Sequence, residues 1–167
     1  KDLGKIERGA VKAARRAKEQ GLIKGFGVTG HSSPDILMEC IKRFRPDAVL
    51  TIFPASRPDK GRYEDELLPL ARKHKMGVIA MKAIRRDRQS DLKGTDLIRY
   101  AMSLKGVHTT IVGLDTIAHL DENAAMATGF KPLKSRQRAA ITREVQLALG
   151  NYPAPWDMPG YSDGVIV

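Results

Sequence analysis

Residues 77–81 read Gly-Val-Ile-Ala-Met, an unbroken apolar run that stops at Lys82. Three similar runs recur at nearly even spacing along the chain, at residues 25–29, 48–53 and 109–113. Each run is continuous rather than alternating, which is typical of a strand that is buried on both faces of a parallel sheet. The sequence therefore predicts four parallel β-strands.

Apolar residues at helical spacing predict one helix before the first strand, one helix after each strand and one further helix at the end. The side chains expected to face inward are Ala10, Ala14 and Ala17; Ile36, Leu37, Cys40, Ile41 and Phe44; Leu67, Leu68, Ala71 and His74; Leu97, Ile98, Ala101 and Met102; Leu120, Asn123 and Ala124; and Ile141, Val145 and Ala148. Ser33 before Pro34, Thr95 and Thr116 are predicted to lie at helix starts. The last helix is expected over residues 135–149.

Strict alternation of strands and helices predicts right-handed crossovers and an α/β fold. The chain has 167 residues, whereas a complete (β/α)8 barrel takes about 250. An open sheet of four strands would leave two bare edges, which a closed barrel does not have. We therefore predict a partial TIM barrel over residues 1–150, with an irregular tail over residues 151–167.

The start of the chain fits the same interpretation. It opens with Lys1 rather than methionine and enters almost at once a helical pattern, about residues 6–20, with no strand before it. We expect the partner strand of this helix to lie upstream. The missing half of the barrel is then expected in the same polypeptide or in a second chain.

The composition limits the class of protein. Hydrophobic residues make up 42% and charged residues 29%, and the formal net charge is +10. The basic residues are spread over nearly every predicted helix and aromatic residues are only 5%, which argues against nucleic-acid binding. No apolar run approaches membrane-spanning length. The single cysteine, Cys40, excludes an internal disulfide and is predicted to be a core thiol; a cytoplasmic protein is the default expectation.

Function in a parallel β/α barrel is expected where the strands end and the following loops begin. Lys82 leaves a buried strand directly into a loop, where an ammonium can meet an anionic ligand. Gly113 precedes a predicted helix start, where backbone amides can receive a phosphate or ribose. Both residues also fit a purely structural interpretation, in which Lys82 is a solvated loop lysine and Gly113 is a turn glycine.

Three strings of residues resemble the aldo-keto reductases, which are nicotinamide-dependent oxidoreductases on a β/α barrel. They are Gly-Phe-Gly-Val-Thr-Gly-His-Ser at 25–32, Gly-Val-Ile-Ala-Met-Lys at 77–82, and Ile-Val-Gly-Leu at 111–114 with Leu-Asp-Glu-Asn at 120–123. The resemblance covers roughly residues 5–127 and matches the C-terminal half of the family's barrel, from the fifth strand to the eighth.

The resemblance implies a binding site for NADP or NAD. Thr29 and Gly30 match the nicotinamide carboxamide position; Met81, Lys82 and Ile84 match the pyrophosphate loop; Gly113, Leu114, Asp115 and Thr116 match the adenosine phosphate segment; and Glu122 and Asn123 match the adenine-side pair. His31 is expected to border the substrate pocket. The Thr-Gly-His form resembles a subgroup that often carries a cysteine cluster, but this tail has no cysteine, so we expect no iron–sulfur cluster and no other metal.

The sequence also departs from the family pattern. Many members place Arg or Lys where Asp115 stands, and a carboxylate there would repel the 2′-phosphate of NADP and tolerate NAD. The glutamine that commonly ends the sixth strand is replaced by Leu50 or Thr51. The stretch Arg-Arg-Asp-Arg at 85–88 is unusually basic, either replacing lost phosphate contacts or forming ordinary surface.

No catalytic residue can be assigned in this chain. The family's tetrad of Asp, Tyr, Lys and His comes from strand ends that would lie upstream of Lys1. Tyr63 and Lys82 belong to different loops, and His74, His108 and His119 are expected at helix or strand ends. The resemblance thus implies part of an oxidoreductase that reduces an aldehyde or ketone with NAD(P)H, without turnover by itself. A catalytically inactive nucleotide-binding or assembly module is the alternative, and a nucleic-acid binder is favoured by charge alone.

Overall fold

A computed structural model describes residues 2–84, 91–150 and 158–161. Its four strands form one parallel sheet in the order β1-β2-β3-β4. Their bounds are β1 Gly27–Thr29, β2 Ala48–Ile52, β3 Gly77–Met81 and β4 Thr109–Thr110. The predicted parallel sheet is confirmed, and its strand order follows the chain as it does in a barrel.

Helices connect the strands in the predicted places. The first helix, α1, runs through the consecutive segments Leu3–Ile6, Glu7–Val11 and Lys12–Glu19, the middle one being π-helical. The others are α2 Pro34–Phe44, α3 Tyr63–Leu67 (π-helical) continuing as Leu68–Lys73, α4 Gly94–Met102, α5 Ile117–Thr128 and α6 Ser135–Leu149. The basic stretch 85–88 and most of the tail from Asn151 lie outside the described residues.

Two helices begin at the predicted side-chain caps. The Ser33 hydroxyl accepts from the Ile36 amide at 3.4 Å, and Pro34 takes the first helical position of α2. The Thr116 hydroxyl accepts from the His119 amide at 3.1 Å at the start of α5. Each cap satisfies an amide that the helix itself leaves unpaired.

The two central strands have one buried face and one open face. Val49 pairs in register with Val78, and all four of Val49, Thr51, Val78 and Ala80 are 0% exposed. Leu50 pairs with Ile79 on the opposite face of the sheet, and both are only half-buried. The helices therefore cover one face of the sheet, and on the other face Leu50 and Ile79 stay partly exposed among the described residues, while Ile52 at the end of β2 is 0% exposed.

The prediction that all four strands are buried on both faces is wrong. In β1, Gly27 and Thr29 are exposed, and in β4 so is Thr109, because each edge strand has a single neighbour. Ile111, predicted as part of the fourth strand, lies beyond its end and is 51% exposed. The missing cover lies where the other half of a barrel would stand.

Several side chains predicted to face inward are exposed. Ile36 is 38% exposed because it lies in the first turn of α2, beside solvent. Ala10 and Ala148 are exposed, and so are Leu120 and Ala124, since α5 buries no residue within the described chain. Helical spacing identifies an apolar stripe, but no described neighbour covers these positions.

The main core lies between the sheet and helices α2, α3 and α4, with α6 added at its margin through Val145. A second, smaller cluster consists of Val11, Cys40 and Phe44. It joins α1 to α2, so α1 packs against a helix rather than against a strand of its own. Cys40 is buried there as a core thiol, as predicted.

No helix among the described residues is long and apolar enough to cross a membrane. Within the same residues, no group of three or more His, Cys, Asp or Glu side chains is placed to hold a metal ion.

Candidate functional site

The loops that follow the strands meet at one edge of the sheet, because all four strands are parallel. Lys82 comes directly after the last residue of β3 and has a φ of 52°. This left-handed conformation turns the chain out of the strand in a single residue. The ammonium of Lys82 is thereby carried to the carboxyl edge instead of onto a helix surface.

A first cavity of about 410 Å³ opens between the loops after β3 and β4. Its walls are mainly apolar, and Lys82 is its one charged lining residue among the described residues. The lining consists of Met81, Lys82, Ala83, Ile84, Ile111, Val112 and Gly113. Such a cavity can enclose a ligand with apolar surface that also carries a negative charge.

A second cavity of about 290 Å³ lies beside the first and shares Ile84 and Gly113 with it. It is the more polar of the two, and its lining consists of Ile84, Gly94, Thr95, Gly113, Asp115, His119, Glu122 and Asn123. We call these two neighbouring cavities together the strand-end groove. The groove runs from the end of β3 to the first turns of α5.

The C-terminal segment contacts the same edge of the sheet. The Lys82 ammonium donates to the Tyr161 hydroxyl at 3.2 Å and lies 5.4 Å from the centre of its ring. The Tyr161 ring meets the His31 ring edge-on, with centroids 5.9 Å apart. Tyr161 therefore links the loops after β1 and β3, a contact that no sequence pattern indicated because 79 residues separate Lys82 from Tyr161.

The loop after β1 is fixed by hydrogen bonds to β2. The Thr51 hydroxyl donates to the Gly30 carbonyl at 2.8 Å, and the Gly30 amide donates to the Leu50 carbonyl at 3.2 Å. A Cβ at Gly30 would come within 3.1 Å of the Leu37 side chain, so a larger residue there would have to displace it. The loop thus packs closely onto β2 and α2.

The structure brings most of the predicted cofactor residues together. Met81, Lys82, Ile84, Gly113, Asp115, Glu122 and Asn123 line the groove. Thr29, Gly30, His31, Leu114 and Thr116 do not line it: the first three lie at the end of β1, Leu114 is 48% exposed, and Thr116 caps α5. His31 is 6% exposed and its carbonyl accepts from the Tyr63 hydroxyl at 2.7 Å.

Sequence reasoning missed other lining residues, among them Gly94, Thr95 and His119. A signal existed for His119, because positions 119 and 122 are three residues apart and so lie on the same side of α5. Gly94 and Thr95 belong to α4, whose start faces the loop after β3: a Cβ at Gly94 would lie 3.1 Å from Ile84. That proximity depends on the packing of the loop and could not be read from spacing.

The remaining candidates are structural. Tyr63 donates to the backbone of His31, whereas Lys82 donates to Tyr161. His108 stands just before β4, where its Nδ1 accepts from the Val78 amide at 3.0 Å and extends the strand ladder. His74 follows the last residue of α3.

A polar network lies away from the groove, on the helix side of the sheet. The Tyr100 hydroxyl donates to Glu64 at 2.8 Å, and Arg57 lies 3.3 Å from the other Glu64 oxygen. Burial raises the pKa of the Glu64 carboxyl, against the lowering effect of Tyr100 and Arg57. Burial also raises the pKa of the Tyr100 phenol, which therefore keeps its proton and acts as the donor.

Comparison with known proteins shows a likeness of fold. No family model and no curated protein matches the sequence. Among solved structures, the holo form of aldo-keto reductase AKR11C1 from Bacillus halodurans superposes with a TM-score of 0.62 at 16% identity, over 81% of this chain and 55% of that one. The apo form gives 0.61 at 17% identity, over 81% and 56%. The thermostable aldo-keto reductase Tm1743, in complex with the inhibitor epalrestat, gives 0.62 at 19%, over 80% and 53%.

The chain thus spans about half the length of the solved aldo-keto reductases that it matches. At these identities the likeness is one of fold. The resemblance inferred from the three strings is confirmed at that level, and so is the partial α/β barrel.

Proposed function

We propose that this chain is the cofactor-holding part of an oxidoreductase that reduces an aldehyde or ketone with NAD(P)H. The observation that carries the proposal is the strand-end groove, which gathers most of the cofactor residues that the sequence resemblance implied after β3 and β4. The aldo-keto reductase likeness of the fold supports the reaction class, and the holo form among the similar structures supports a bound cofactor.

The chemistry of the groove fits a dinucleotide. Lys82 supplies a cation for the pyrophosphate, next to the apolar walls formed by Met81 and Ile84. Asp115 and Asn123 supply acceptors and donors of the kind that bind ribose hydroxyls and adenine nitrogens. When bound, a reduced nicotinamide would supply the hydride for a carbonyl carbon. This chain's contribution is to bind and orient the cofactor, while His31 remains our candidate for the edge of the substrate pocket.

We place the donor of the proton for the carbonyl oxygen in the other half of the barrel, because the sequence resemblance puts the family's catalytic tetrad there. The open sheet face and the exposed edges of β1 and β4 support a second half-barrel, in the same polypeptide or in a partner chain, as the source of that group. A small carbonyl compound would be the substrate of the assembled protein. Binding of nucleic acid is not part of the proposal, and a cytoplasmic location stays a prediction.

Titration of the chain with NADH and NADPH tests the proposal. We expect nucleotide fluorescence or calorimetry to show saturable binding of at least one dinucleotide at low salt, and no carbonyl reduction by the chain alone. The missing half, encoded upstream or added in trans, is expected to restore reduction. Failure of both dinucleotides to bind would contradict the proposal.

A second candidate function is a catalytically inactive nucleotide-binding or assembly module completed by dimerisation. It is favoured by the two uncovered parallel edges, since β4 of one copy could pair with β1 of another. Sedimentation equilibrium with and without NADH separates the two: a stable dimer that binds the dinucleotide without turnover supports this candidate, and a monomer rules it out.

A further inference from the structure

We propose that the second cavity of the strand-end groove accepts an adenosine with a free 2′-hydroxyl, so that the site selects NAD(H) over NADP(H). This inference rests on the proposed function and adds to it the identity of the cofactor. The residues that carry it are Asp115 and Glu122, two carboxylates that line one small cavity.

The second cavity is lined by acidic side chains. Besides the two carboxylates, its lining contains His119 and otherwise neutral residues, with no lysine or arginine among the residues that the structure describes there. A 2′-phosphate would bring roughly two further negative charges into this space. In nucleotide sites, acidic side chains accept hydrogen bonds from ribose hydroxyls, whereas arginine accommodates the 2′-phosphate.

The start of α5 is partly satisfied by the chain itself. A helix N-terminus attracts phosphate through unpaired amides, but here the Thr116 hydroxyl already accepts from the His119 amide at 3.1 Å. The Leu120 amide donates to the Thr116 carbonyl within the helix at 3.3 Å. Of the amides that the helix start leaves unpaired, that of His119 is therefore committed to the Thr116 side chain, and Asp115 stands directly before Thr116 in the sequence.

Lys82 does not change the expected preference for NAD over NADP. It lines the first cavity and not the second, and its ammonium donates to Tyr161. A cation in that position attracts the pyrophosphate, which NAD and NADP share, so it adds affinity without discriminating between them. Among the residues that the structure describes, the discrimination then depends on the second cavity.

Four probes test the inference on the chain as it exists: NADH, NADPH, 5′-AMP and 2′,5′-ADP, each titrated by calorimetry. We expect NADH to bind at least about tenfold more tightly than NADPH, and 5′-AMP more tightly than 2′,5′-ADP, the minimum corresponding to about 1.4 kcal/mol. Asp115→Asn should reduce the preference for NADH over NADPH, and Asp115→Arg should make NADPH the tighter ligand. Asp121→Arg is the matched control, since Asp121 lies in α5, close in sequence to Asp115, but does not line the cavity, and it should leave the relative affinity for the two dinucleotides unchanged.

The outcomes separate the inference from the proposed function. Wild-type protein that binds NADPH as tightly as NADH, or more tightly, overturns the selectivity and leaves dinucleotide binding standing. Binding of neither dinucleotide overturns both. An equal change of the ratio in the Asp115→Arg and Asp121→Arg variants would show that net charge, and not this cavity, controls the preference.

Discussion

The Lys82 ammonium donates a hydrogen bond to the Tyr161 hydroxyl at 3.2 Å, although the two residues lie 79 positions apart. The same ring meets His31 at the end of β1. One aromatic side chain of the C-terminal segment thus contacts the loops after two non-adjacent strands. It does so beside the cavity where Lys82 would meet an anion.

Replacement of Lys82 by methionine is expected to weaken NADH binding about tenfold at low salt, because a charge-assisted hydrogen bond contributes about 1.5–3 kcal/mol and solvent screens part of it. The difference between wild type and variant should shrink as salt is raised. Fluorescence titration at two ionic strengths measures both effects.

Two controls separate the charge of Lys82 from its contact with Tyr161. Tyr161→Phe removes the hydroxyl but keeps the ring, and affinity should stay within about twofold because an ammonium has three N–H donors. Lys73→Met removes an exposed lysine from the end of α3, at the amino end of β3, and should have no effect. A loss in the Lys73 variant equal to that in the Lys82 variant would mean that overall charge is responsible.

The sequence predicted the strands and helix caps well because their signals are local. Residues 77–81, Ser33 and Thr116 each stand where short-range chemistry places them. Burial was predicted less well, since a stripe such as the one that contains Leu120 and Ala124 shows which side of a helix needs a cover but not whether the chain supplies one. That is why β1, β4 and α5 are more exposed than their composition suggests.

The same reasoning explains which part of the site was found. Residues that follow a strand directly, such as Lys82, can be placed from sequence because the strand end fixes their position. Gly94 and Tyr161 could not, since they reach the edge of the sheet through a helix start and a distant segment. The resemblance supplied Asp115 and Glu122, while His119 between them required the helix geometry.

The contributions of Glu64 and Asp47 to the free energy of unfolding should change in opposite directions as pH rises. Burial raises the pKa of Glu64, so its contribution is present below the pKa of the unfolded chain and is lost as pH rises through the folded value. The hydrogen bond from Lys18 lowers the pKa of Asp47, so its contribution is present at higher pH and is lost as pH falls through the folded value.

Urea unfolding of wild type, Glu64→Gln and Asp47→Asn at about pH 2.5 and about pH 7 measures this difference. The free energy of unfolding of wild type relative to Glu64→Gln should decrease from the lower to the higher pH. Relative to Asp47→Asn it should increase. Both variants keep the size of the side chain, and the amide oxygen introduced by Glu64→Gln still offers the Tyr100 hydroxyl an acceptor. If the free-energy differences between wild type and the two variants change in the same direction with pH, the opposite pKa shifts of Glu64 and Asp47 are contradicted.

Removal of the Thr116 cap should affect both stability and ligand binding. Thr116→Ala leaves the His119 amide without its acceptor at 3.1 Å and is expected to cost about 1 kcal/mol of unfolding free energy. Because His119 lines the second cavity, fraying of this turn should also weaken dinucleotide binding.

Ser33→Ala is the matched control for Thr116→Ala. It removes the equivalent cap of α2, where the Ser33 hydroxyl accepts from Ile36, and neither residue lines the groove. Chemical denaturation should show a similar loss for both variants, with dinucleotide affinity reduced only in Thr116→Ala. Equal affinities in the two variants would indicate that the start of α5 does not contact the ligand.

Adjacent residues of β3 test the open face of the sheet. Val78 is 0% exposed and belongs to the main core, so Val78→Asp should cost more than about 3 kcal/mol and unfold much of the chain. Ile79 is half-buried on the other face, outside that core. Ile79→Asp should therefore leave the isolated chain folded, with a near-wild-type circular dichroism spectrum.

The second effect of Ile79→Asp should appear only on assembly. The interior of a complete β/α barrel is filled by side chains from its strands, and a carboxylate on the inward face would be buried there without a partner. The variant is expected to fold alone but to fail to join a complementary half-barrel, as measured by size-exclusion chromatography of the mixed halves. Ile111→Asp, beyond the end of β4 and 51% exposed, should assemble far better. If Ile79→Asp assembles as well as wild type, the open face of this sheet is not the inside of a barrel.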